Sequence, residues 1–488
     1  SPLVFHDNLW HANVVLSRCI VSFQDEARKQ SDSMEPVEAS SKAQWGAQTQ
    51  RALQHFYPGA RVPLQLIYCY AHIKQAAAKS NSALGVLQQQ QCHFIVQAAQ
   101  EIIQGKWDDQ FPLSVWQSGS GTQTNMNVNE VIANRANALA RDEKKQCEPI
   151  HPNNHVNCGQ STNDTFPTAM ALACCVQVRG LQNVVDAVIK CLVQQAKQHN
   201  QLIKMGRTHL QDAVPITFGQ ELQTFADQLQ RAMHNVQQST DRCRTLPLGG
   251  TAVGTGLNAH PQFASAVVKQ LSKQLQQEFF PCANPCVFMA AHDEFVGVAG
   301  SLCCLATCLN KIANDIRWLS SGPRGGLGEI NIPANEPGSS IMPGKVNPSQ
   351  CEALSMMCAH VMGLHTAITF AASQGSFQLN TYKPLIAYNV LSGMQLLTNG
   401  LHHFHRYCLQ DLKPNRQRMN QLAQHSLMLA TALAPTLGYE RTAEAVKCAQ
   451  EANKSLREVV VDLGWMNEQE FDSCVDLQQM AQCNIQLP

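Results

Sequence analysis

Several long stretches of this 488-residue chain repeat apolar residues at the period of an α-helix. In 299–319 these residues are Leu302, Leu305, Leu309, Ile312 and Ile316. The same spacing predicts helices over 176–199, 215–245, 351–372, 385–410 and 417–434. Few segments alternate with the period of a strand, and no heptad pattern is sustained. The sequence therefore predicts an all-α fold built on a bundle of long helices.

The central helices carry apolar residues on more than one face. Ala299, Leu302, Cys303, Leu305 and Ala306 leave little polar surface at the start of 299–319. A helix that is apolar all round lies deep in a large core or in a contact between subunits. We therefore expect an oligomer.

Composition excludes several classes of protein. Lys+Arg and Asp+Glu both number 36, and this balance argues against a nucleic-acid partner. No apolar stretch approaches the ~18 residues needed to span a bilayer, so no membrane partner is expected. The 20 cysteines are scattered through helical patterns, which favours reduced thiols in a cytosolic type of protein. The first 25 or so residues resemble neither a secretory signal nor an Arg-rich transit peptide. We expect a cytoplasmic protein, with the mitochondrial matrix as the alternative for a eukaryotic chain.

Non-helical interruptions contain most of the polar motifs. They lie at 117–129, 149–167, 205–212, 246–262 and 320–350. The last is rich in Gly and Pro, and a loop of that length inside a compact domain is usually functional or disordered. Its specific apolar residues, such as Ile341 and Met342, favour a function.

Two of the polar motifs combine small hydroxyl, glycine and amide residues. Ser118-Gly119-Ser120-Gly121-Thr122 can direct hydroxyl and backbone N–H groups at a carboxylate or phosphate, although an ordinary turn is equally consistent. The second motif runs from His151 to Asn157 and continues into Ser161-Thr162-Asn163-Asp164. Its amide and hydroxyl donors suit a carboxylate. Asn163 or Asp164 could instead cap a helix that follows Pro167.

Two further motifs carry charged or titratable side chains. Histidine side chains ordinarily titrate near neutral pH, so His209, in Gly206–Asp212, suits a general acid or base, although a lone histidine is more often structural. In the loop Gly338–Pro348, Lys345 brings a positive charge and Asn347 an amide donor. Glu352 lies on a helix predicted to begin near Pro348, where a carboxylate also favours the helix dipole. Neither a P-loop nor a dinucleotide fingerprint matches these glycines.

Together and in this order, the motifs resemble the fumarase/aspartase superfamily, most closely class II fumarase. The likeness begins at 43–51 (AQWGAQTQR), includes the 338–348 loop (GSSIMPGKVNP) and extends to Glu470-Phe471-Asp472. His209 favours fumarase over aspartase, which is similar but carries Gln there. Val346 stands where argininosuccinate and adenylosuccinate lyases usually have a second basic residue.

The resemblance implies an all-α, three-domain fold with a long central bundle. The N-terminal domain would span 1–159, with 1–25 an uncertain extension, the bundle 160–416 and a small C-terminal domain 417–488. It implies a homotetramer whose active sites are each shared by three chains. The implied reaction is reversible hydration of fumarate to (S)-malate, a step of the tricarboxylic acid cycle, without a metal or organic cofactor.

The resemblance also assigns site residues. The catalytic residues would be His209, Ser339, Lys345, Asn347 and Glu352. Substrate carboxylates would be bound by Ser118, Ser120, Gly121, Thr122, Ser161, Thr162, Asn163, Thr208, Ser340, Lys345 and Asn347. A second dicarboxylate site would use His151, Asn153 and Asn154, but Glu148 stands where a basic residue is common. An aspartate ammonia-lyase and a non-catalytic scaffold are the alternative functions.

Overall fold

The computed structural model describes residues 27–30, 32, 34–145 and 147–482. The N-terminal extension predicted for 1–25 lies outside the described residues. Helices dominate the described residues, and their strands form five two-stranded sheets. The all-α prediction is therefore confirmed. The described residues form two compact units, the first within 1–173, 244–292 and 370–388, the second within 174–243, 293–369 and 389–488. The three-domain division stays a prediction.

The first unit contains the N-terminal helices. Its complete helices are α1 (Ala47–His55), α2 (Leu64–Ala83), α3 (Gln89–Ile103), α4 (Thr122–Asp142), α7 (Phe263–Leu275) and α8 (Pro285–Ala290). Its strands are β1 (Ala27–Gln30), β2 (Val37–Ser40), β5 (Thr245–Leu246), β6 (Phe280–Pro281), β8 (Gly375–Ser376) and β9 (Leu379–Asn380). Helix α2 is buried along most of its length and packs against α3 and α7. Its alanine run, Ala76-Ala77-Ala78, is buried and leaves room for close helix packing.

The second unit is built around α6 (Phe218–Asp241) and α9 (Asp293–Leu319), which pack against each other. Helix α10 (Ser349–Ala372) belongs mostly to this unit, while α5 (Thr162–Gln198) and α11 (Lys383–Phe404) each continue into it from the first. The remaining helices are α12 (Arg416–His425), α13 (Ala434–Leu437), α14 (Tyr439–Ala452), α15 (Leu456–Asp462), α16 (Glu468–Cys474) and α17 (Leu477–Ala481). The remaining strands are β3 (Ile203–Thr208), β4 (Gln211–Thr217), β7 (Ile330–Asn331) and β10 (Lys413–Pro414).

Several predicted boundaries were wrong. Helix α5 begins at Thr162, so Pro167 lies inside the helix rather than before it. Helix α4 already begins at Thr122, within the segment predicted as non-helical to 129. The helix predicted over 417–434 ends at His425, where Ser426 turns extended and caps a short 3₁₀ segment. The segment 205–212 is the tip of a β-hairpin.

Three helices, α5, α9 and α10, are long and apolar enough to cross a membrane by length and composition alone. This corrects the expectation that no stretch reaches that length. Small residues such as Ala, Gly and Cys carry much of the apolar character, so no long run of large aliphatic residues marks these helices in the sequence. The most apolar 18-residue window of α10 is only 22% buried within the chain.

Candidate active site

The polar motifs divide equally between the two units. The Ser118–Asn127 and His151–Asp164 motifs lie in the first unit, and the Gly206–Asp212 and Gly338–Glu352 motifs lie in the second. Each motif surrounds the beginning of a helix or the tip of a turn, where backbone N–H groups lack intrahelical partners.

The turn before α4 requires both of its glycines. A Cβ atom at Gly119 would lie 1.5 Å from the carbonyl oxygen of Thr381, so only glycine lets the two backbones approach. Gly121 has φ of 83°, and a Cβ there would lie 2.0 Å from the ring of Phe166. The amide of Lys383 donates to the Gly119 carbonyl at 3.0 Å and holds the turn in place.

A row of hydroxyl groups follows this turn. The Ser118 and Ser120 Oγ atoms lie 3.1 Å apart, and Ser120 Oγ lies 2.9 Å from Thr122 Oγ1. Thr122 is the first residue of α4, where the helix dipole favours a negative charge. The structure therefore brings together three of the predicted substrate-binding residues in a geometry suited to an anion.

The N-terminus of α5 is capped by reciprocal hydrogen bonds. Ser161 Oγ accepts from the Asn163 amide at 3.2 Å, and the Ser161 amide donates to Asp164 Oδ1 at 2.9 Å. Ser161 is thus the cap, rather than Asn163 or Asp164. The Asn163 side chain donates to the Ala252 carbonyl at 2.8 Å, which engages one of its two amide N–H groups.

Asp164 is a buried carboxylate beneath this cap. Its Oδ2 accepts from the amides of Gly249 and Thr251 at 3.0 and 2.9 Å. Burial raises the pKa of Asp164 to about 6, although the backbone donors favour its charged form. The carboxylate ties the start of α5 to the 246–262 loop.

Thr162 belongs to a chain of side-chain hydrogen bonds. Asn125 Nδ2 donates to Thr162 Oγ1 at 2.9 Å and lies 3.3 Å from Asn157 Oδ1. Asn157 Oδ1 in turn accepts from the Lys74 ammonium at 2.9 Å. Asn125, Asn157 and Lys74 were not predicted as site residues. Asn125 and Asn157 lie inside the polar motifs and Lys74 lies outside them, and only their proximity in the fold connects them to Thr162.

The segment predicted as a second dicarboxylate site forms a single exposed turn, Pro152–Val156. His151 Nδ1 accepts from the amides of Asn153 and Asn154 at 3.2 and 3.3 Å. The proton of a neutral His151 ring is then carried by Nε2. Glu148 Oε2 accepts from Gln88 at 3.2 Å. The second site stays a prediction.

His209 lies at the tip of the β3–β4 hairpin. Thr208 pairs with Gln211, which leaves His209 and Leu210 as a two-residue turn with φ of 58° and 60°. Two positive φ values define a type I′ turn, which Asn and Gly normally occupy. A histidine and a bulky leucine there are strained by about 1–3 kcal/mol each. Such strain is characteristic of functional positions. The His209 imidazole is also exposed, and both features indicate a functional residue.

A buried charge network supports this hairpin. The Arg207 guanidinium donates to both oxygens of Glu329, with distances of 2.8 and 3.2 Å. Lys204 Nζ lies 3.4 Å from the same carboxylate and 3.1 Å from Glu221 Oε1. Burial raises the pKa of Glu221, and Lys204 partly offsets that shift. Glu329 is fully buried, so the network fixes the hairpin to the segment around β7.

The base of the hairpin is held by packing and by a helix cap. Met205 belongs to an apolar core with Leu433, Val460 and Phe471 of the C-terminal segment. At the other end, Thr217 and Gln220 form a capping box where β4 runs into α6. The position of His209 therefore depends on elements far from it in sequence.

The Gly338–Pro348 loop closes on itself. Asn347 Nδ2 donates to the Gly338 carbonyl at 2.6 Å, and the Lys345 ammonium donates to Asn347 Oδ1 at 2.8 Å. A Cβ at Gly338 would lie 2.0 Å from the Lys345 carbonyl oxygen. Ser339 Oγ accepts a long 3.4 Å bond from the Ile341 amide. The loop thus brings the Lys345 ammonium and the Asn347 amide together.

The loop is uncovered within the chain. Ile341 is 83% exposed and Ser340 is also exposed, while Ser339 is half-buried. Glu352 lies in the first turn of α10, half-exposed and 3.8 Å from Arg317 Nη2. Across the described part of one chain, no hydrogen bond joins His209 to Glu352. Their pairing stays a prediction.

Comparison with known proteins identifies the family. Residues 35–363 match the family model described as Lyase, and residues 429–482 match the model described as Fumarase C C-terminus. Fumarate hydratase class II of Thermosynechococcus vestitus is 50% identical over 93% of this chain and 98% of that protein. The same enzyme of Thermus thermophilus is 48% identical with the same coverage.

Solved structures agree with these relatives. The class II fumarase of Schistosoma mansoni superposes with a TM-score of 0.89 at 40% identity, covering 93% of this chain and 99% of that one. The chain therefore belongs to the fumarase/aspartase lyase family, in its class II fumarase branch. The predicted helical fold and the predicted family are confirmed.

Proposed function

We propose that this protein is a fumarate hydratase that interconverts fumarate and (S)-malate in the tricarboxylic acid cycle. The observation that carries the proposal is His209, an exposed acid–base group held at the strained tip of a hairpin. The relatives named above are fumarate hydratases and agree with it. A hydration reaction needs such a group to move a proton to or from water.

The chemistry divides between two proton transfers. Hydration adds hydroxide to one alkene carbon and a proton to the other, through an aci-carboxylate intermediate that must be stabilised electrostatically. His209, assisted by Glu352, takes the proton from the attacking water. Ser339 gives a proton to the neighbouring carbon and, in the reverse direction, removes it. The Lys345 ammonium and the Asn347 amide stabilise the developing negative charge.

The substrate carboxylates bind at the helix N-termini. One group of donors is the row formed by Ser118, Ser120 and Thr122 at the start of α4, supported by the Gly121 turn. A second group is Ser161, Thr162 and Asn163 at the start of α5. Thr208 and Ser340 contribute from the hairpin and the loop. Hydroxyl and amide donors of this kind recognise a dicarboxylate without a metal.

The complete site needs more than one chain, and we propose a homotetramer with each site shared by three chains. The apolar helices support this assembly, since α10 leaves most of its most apolar window unburied. Such faces are normally covered by another subunit. The cytoplasm is the proposed location.

The test is the loss of fumarate absorbance with the wild type, His209→Asn and Ser339→Ala. We expect each variant to lower kcat at least about 100-fold, because each removes one proton-transfer group. His234→Asn, which changes an exposed histidine on α6, is the matched control and should retain full activity. Turnover of aspartate but not fumarate by the wild type would overturn the proposal in favour of an ammonia-lyase.

A further inference from the structure

Lys74 is a fully buried lysine in α2 that the proposed chemistry does not use. Its ammonium donates to Asn157 Oδ1 at 2.9 Å and to Gln160 Oε1 at 3.0 Å, and it lies 5.8 Å from the centre of the Tyr70 ring. No carboxylate of the described chain lies within ion-pairing distance of it. Buried charges are costly unless they are paired, so an ammonium held only by neutral oxygens requires an explanation.

Its hydrogen bonds lead to the proposed substrate-binding residues. Asn157 Oδ1, which accepts from Lys74, also lies 3.3 Å from Asn125 Nδ2. Asn125 Nδ2 donates to Thr162 Oγ1 at 2.9 Å. Both Asn125 and Thr162 are buried, so these bonds are shielded from water.

The direction of these hydrogen bonds determines whether the Thr162 hydroxyl can donate to a ligand. Because its oxygen accepts from Asn125, its hydroxyl proton remains available for donation. The Asn125 NH₂ group points toward Thr162 Oγ1 and also donates to Asn157 Oδ1. Lys74 holds that Asn157 oxygen in place by donating to it. The lysine therefore favours the orientation in which Thr162 donates outward to an anion.

The positive charge of Lys74 also favours the binding of an anion near Thr162. Burial lowers its pKa to about 7, and the Asp164 carboxylate opposes that shift. A carboxylate bound nearby would favour the protonated lysine. A buried cation behind neutral donors also strengthens the binding of a dianion.

We propose that Lys74 is a positioning residue for substrate binding: through Asn157 and Asn125 it orients Thr162 to donate to a substrate carboxylate. The inference rests on the proposed hydratase function and deepens it. Lys74 does not touch the reacting carbons, so its removal should weaken binding more than turnover.

The test compares Lys74→Met with the wild-type tetramer. We expect KM for fumarate and Kd for succinate, an unreactive dicarboxylate, to rise at least about tenfold, while kcat falls less than threefold. Gln75→Leu is the matched control, since Gln75 is the neighbouring buried residue but bonds to Val96 and Gln100 of α3. Its KM should stay within twofold of wild type.

Asn157→Ala provides an independent variant, because Asn157 is half-buried and water can fill the space it leaves. This variant keeps Lys74 but removes the Asn157 oxygen that links it to Asn125. We expect KM for fumarate to rise at least about tenfold, as in Lys74→Met. The double variant should be no worse than the weaker-binding single variant, because both changes break the same chain. If Lys74→Met does not fold, Asn157→Ala decides on the same thresholds.

A rise in KM below threefold, or a loss confined to kcat, would overturn the role of Lys74. A wild-type protein that binds succinate but does not hydrate fumarate would instead overturn the proposed function. The succinate measurement keeps the two failures distinguishable.

Discussion

At the scale of single residues, the site depends on buried side chains that position the binding residues by hydrogen bonds. Asp164 is the clearest example, because its two oxygens accept three backbone N–H bonds from Ser161, Gly249 and Thr251. An asparagine of the same shape would keep one acceptor oxygen and turn an NH₂ group toward a donor. A buried donor without an acceptor costs about 1–3 kcal/mol.

We therefore expect Asp164→Asn to lower the thermal midpoint by roughly 1–3 °C and to raise KM for fumarate, because the start of α5 loosens. Differential scanning calorimetry and fumarate kinetics measure the two effects. Asp186→Asn changes an exposed carboxylate on the same helix and should leave both unchanged. An Asp164→Asn protein as stable as the wild type would contradict this structural role.

At the scale of elements, the β3–β4 hairpin is the part of the site that sequence patterns describe least well. The motif around His209 predicted a functional interruption but not a hairpin. In the described part of the chain, β3 and β4 form a sheet of two strands only. Their anchor, Arg207 with Glu329, joins residues more than a hundred positions apart, and spacing carries no signal for such a pair. The long helices were predictable, since their apolar period is set by packing.

Contacts between residues distant in sequence also explain why the start of α5 and the roles of Lys74 and Asn125 were not predicted. Helix α5 accommodates Pro167 early in its length, where the loss of one backbone hydrogen bond is offset by the cap at Ser161 and the buried Asp164. Lys74 and Asn125 remained unassigned because only the packing of α2 and α4 brings them to Thr162. Most catalytic assignments came from a family resemblance, whereas local patterns suggested only anion binding and a general acid or base at His209.

Arg207→Lys tests whether the hairpin anchor serves catalysis. Lysine keeps the charge beside Glu329 but cannot form both hydrogen bonds. The hairpin tip then shifts and displaces both His209 and the proposed carboxylate-binding Thr208, so we expect kcat for fumarate to fall about tenfold and KM to rise by less than that factor. Steady-state kinetics separate the two constants. Arg231→Lys, an exposed exchange on α6, is the control. Unchanged kcat in Arg207→Lys would show that the hairpin position does not depend on this pair.

At the scale of the whole molecule, we propose that the site is completed only when several chains assemble. Within the described residues, the hydrogen bonds of His209's hairpin and of the Ser339 loop do not connect the two. The loop is uncovered and α10 is largely unburied along its apolar window. Both features are explained if neighbouring subunits supply the missing walls.

A mixture of inactive chains tests this arrangement directly. His209→Asn and Ser339→Ala chains, inactive alone, are mixed in equal amounts, dissociated, reassembled and assayed for fumarate hydration. If His209 and Ser339 of one site come from different chains, roughly a quarter of the sites in random hybrids contain both native residues, and activity returns to roughly a quarter of wild type. If hybrids form, as shown by a mass tag on one variant, and remain inactive, each site draws both residues from one chain and the shared-site hydratase is contradicted.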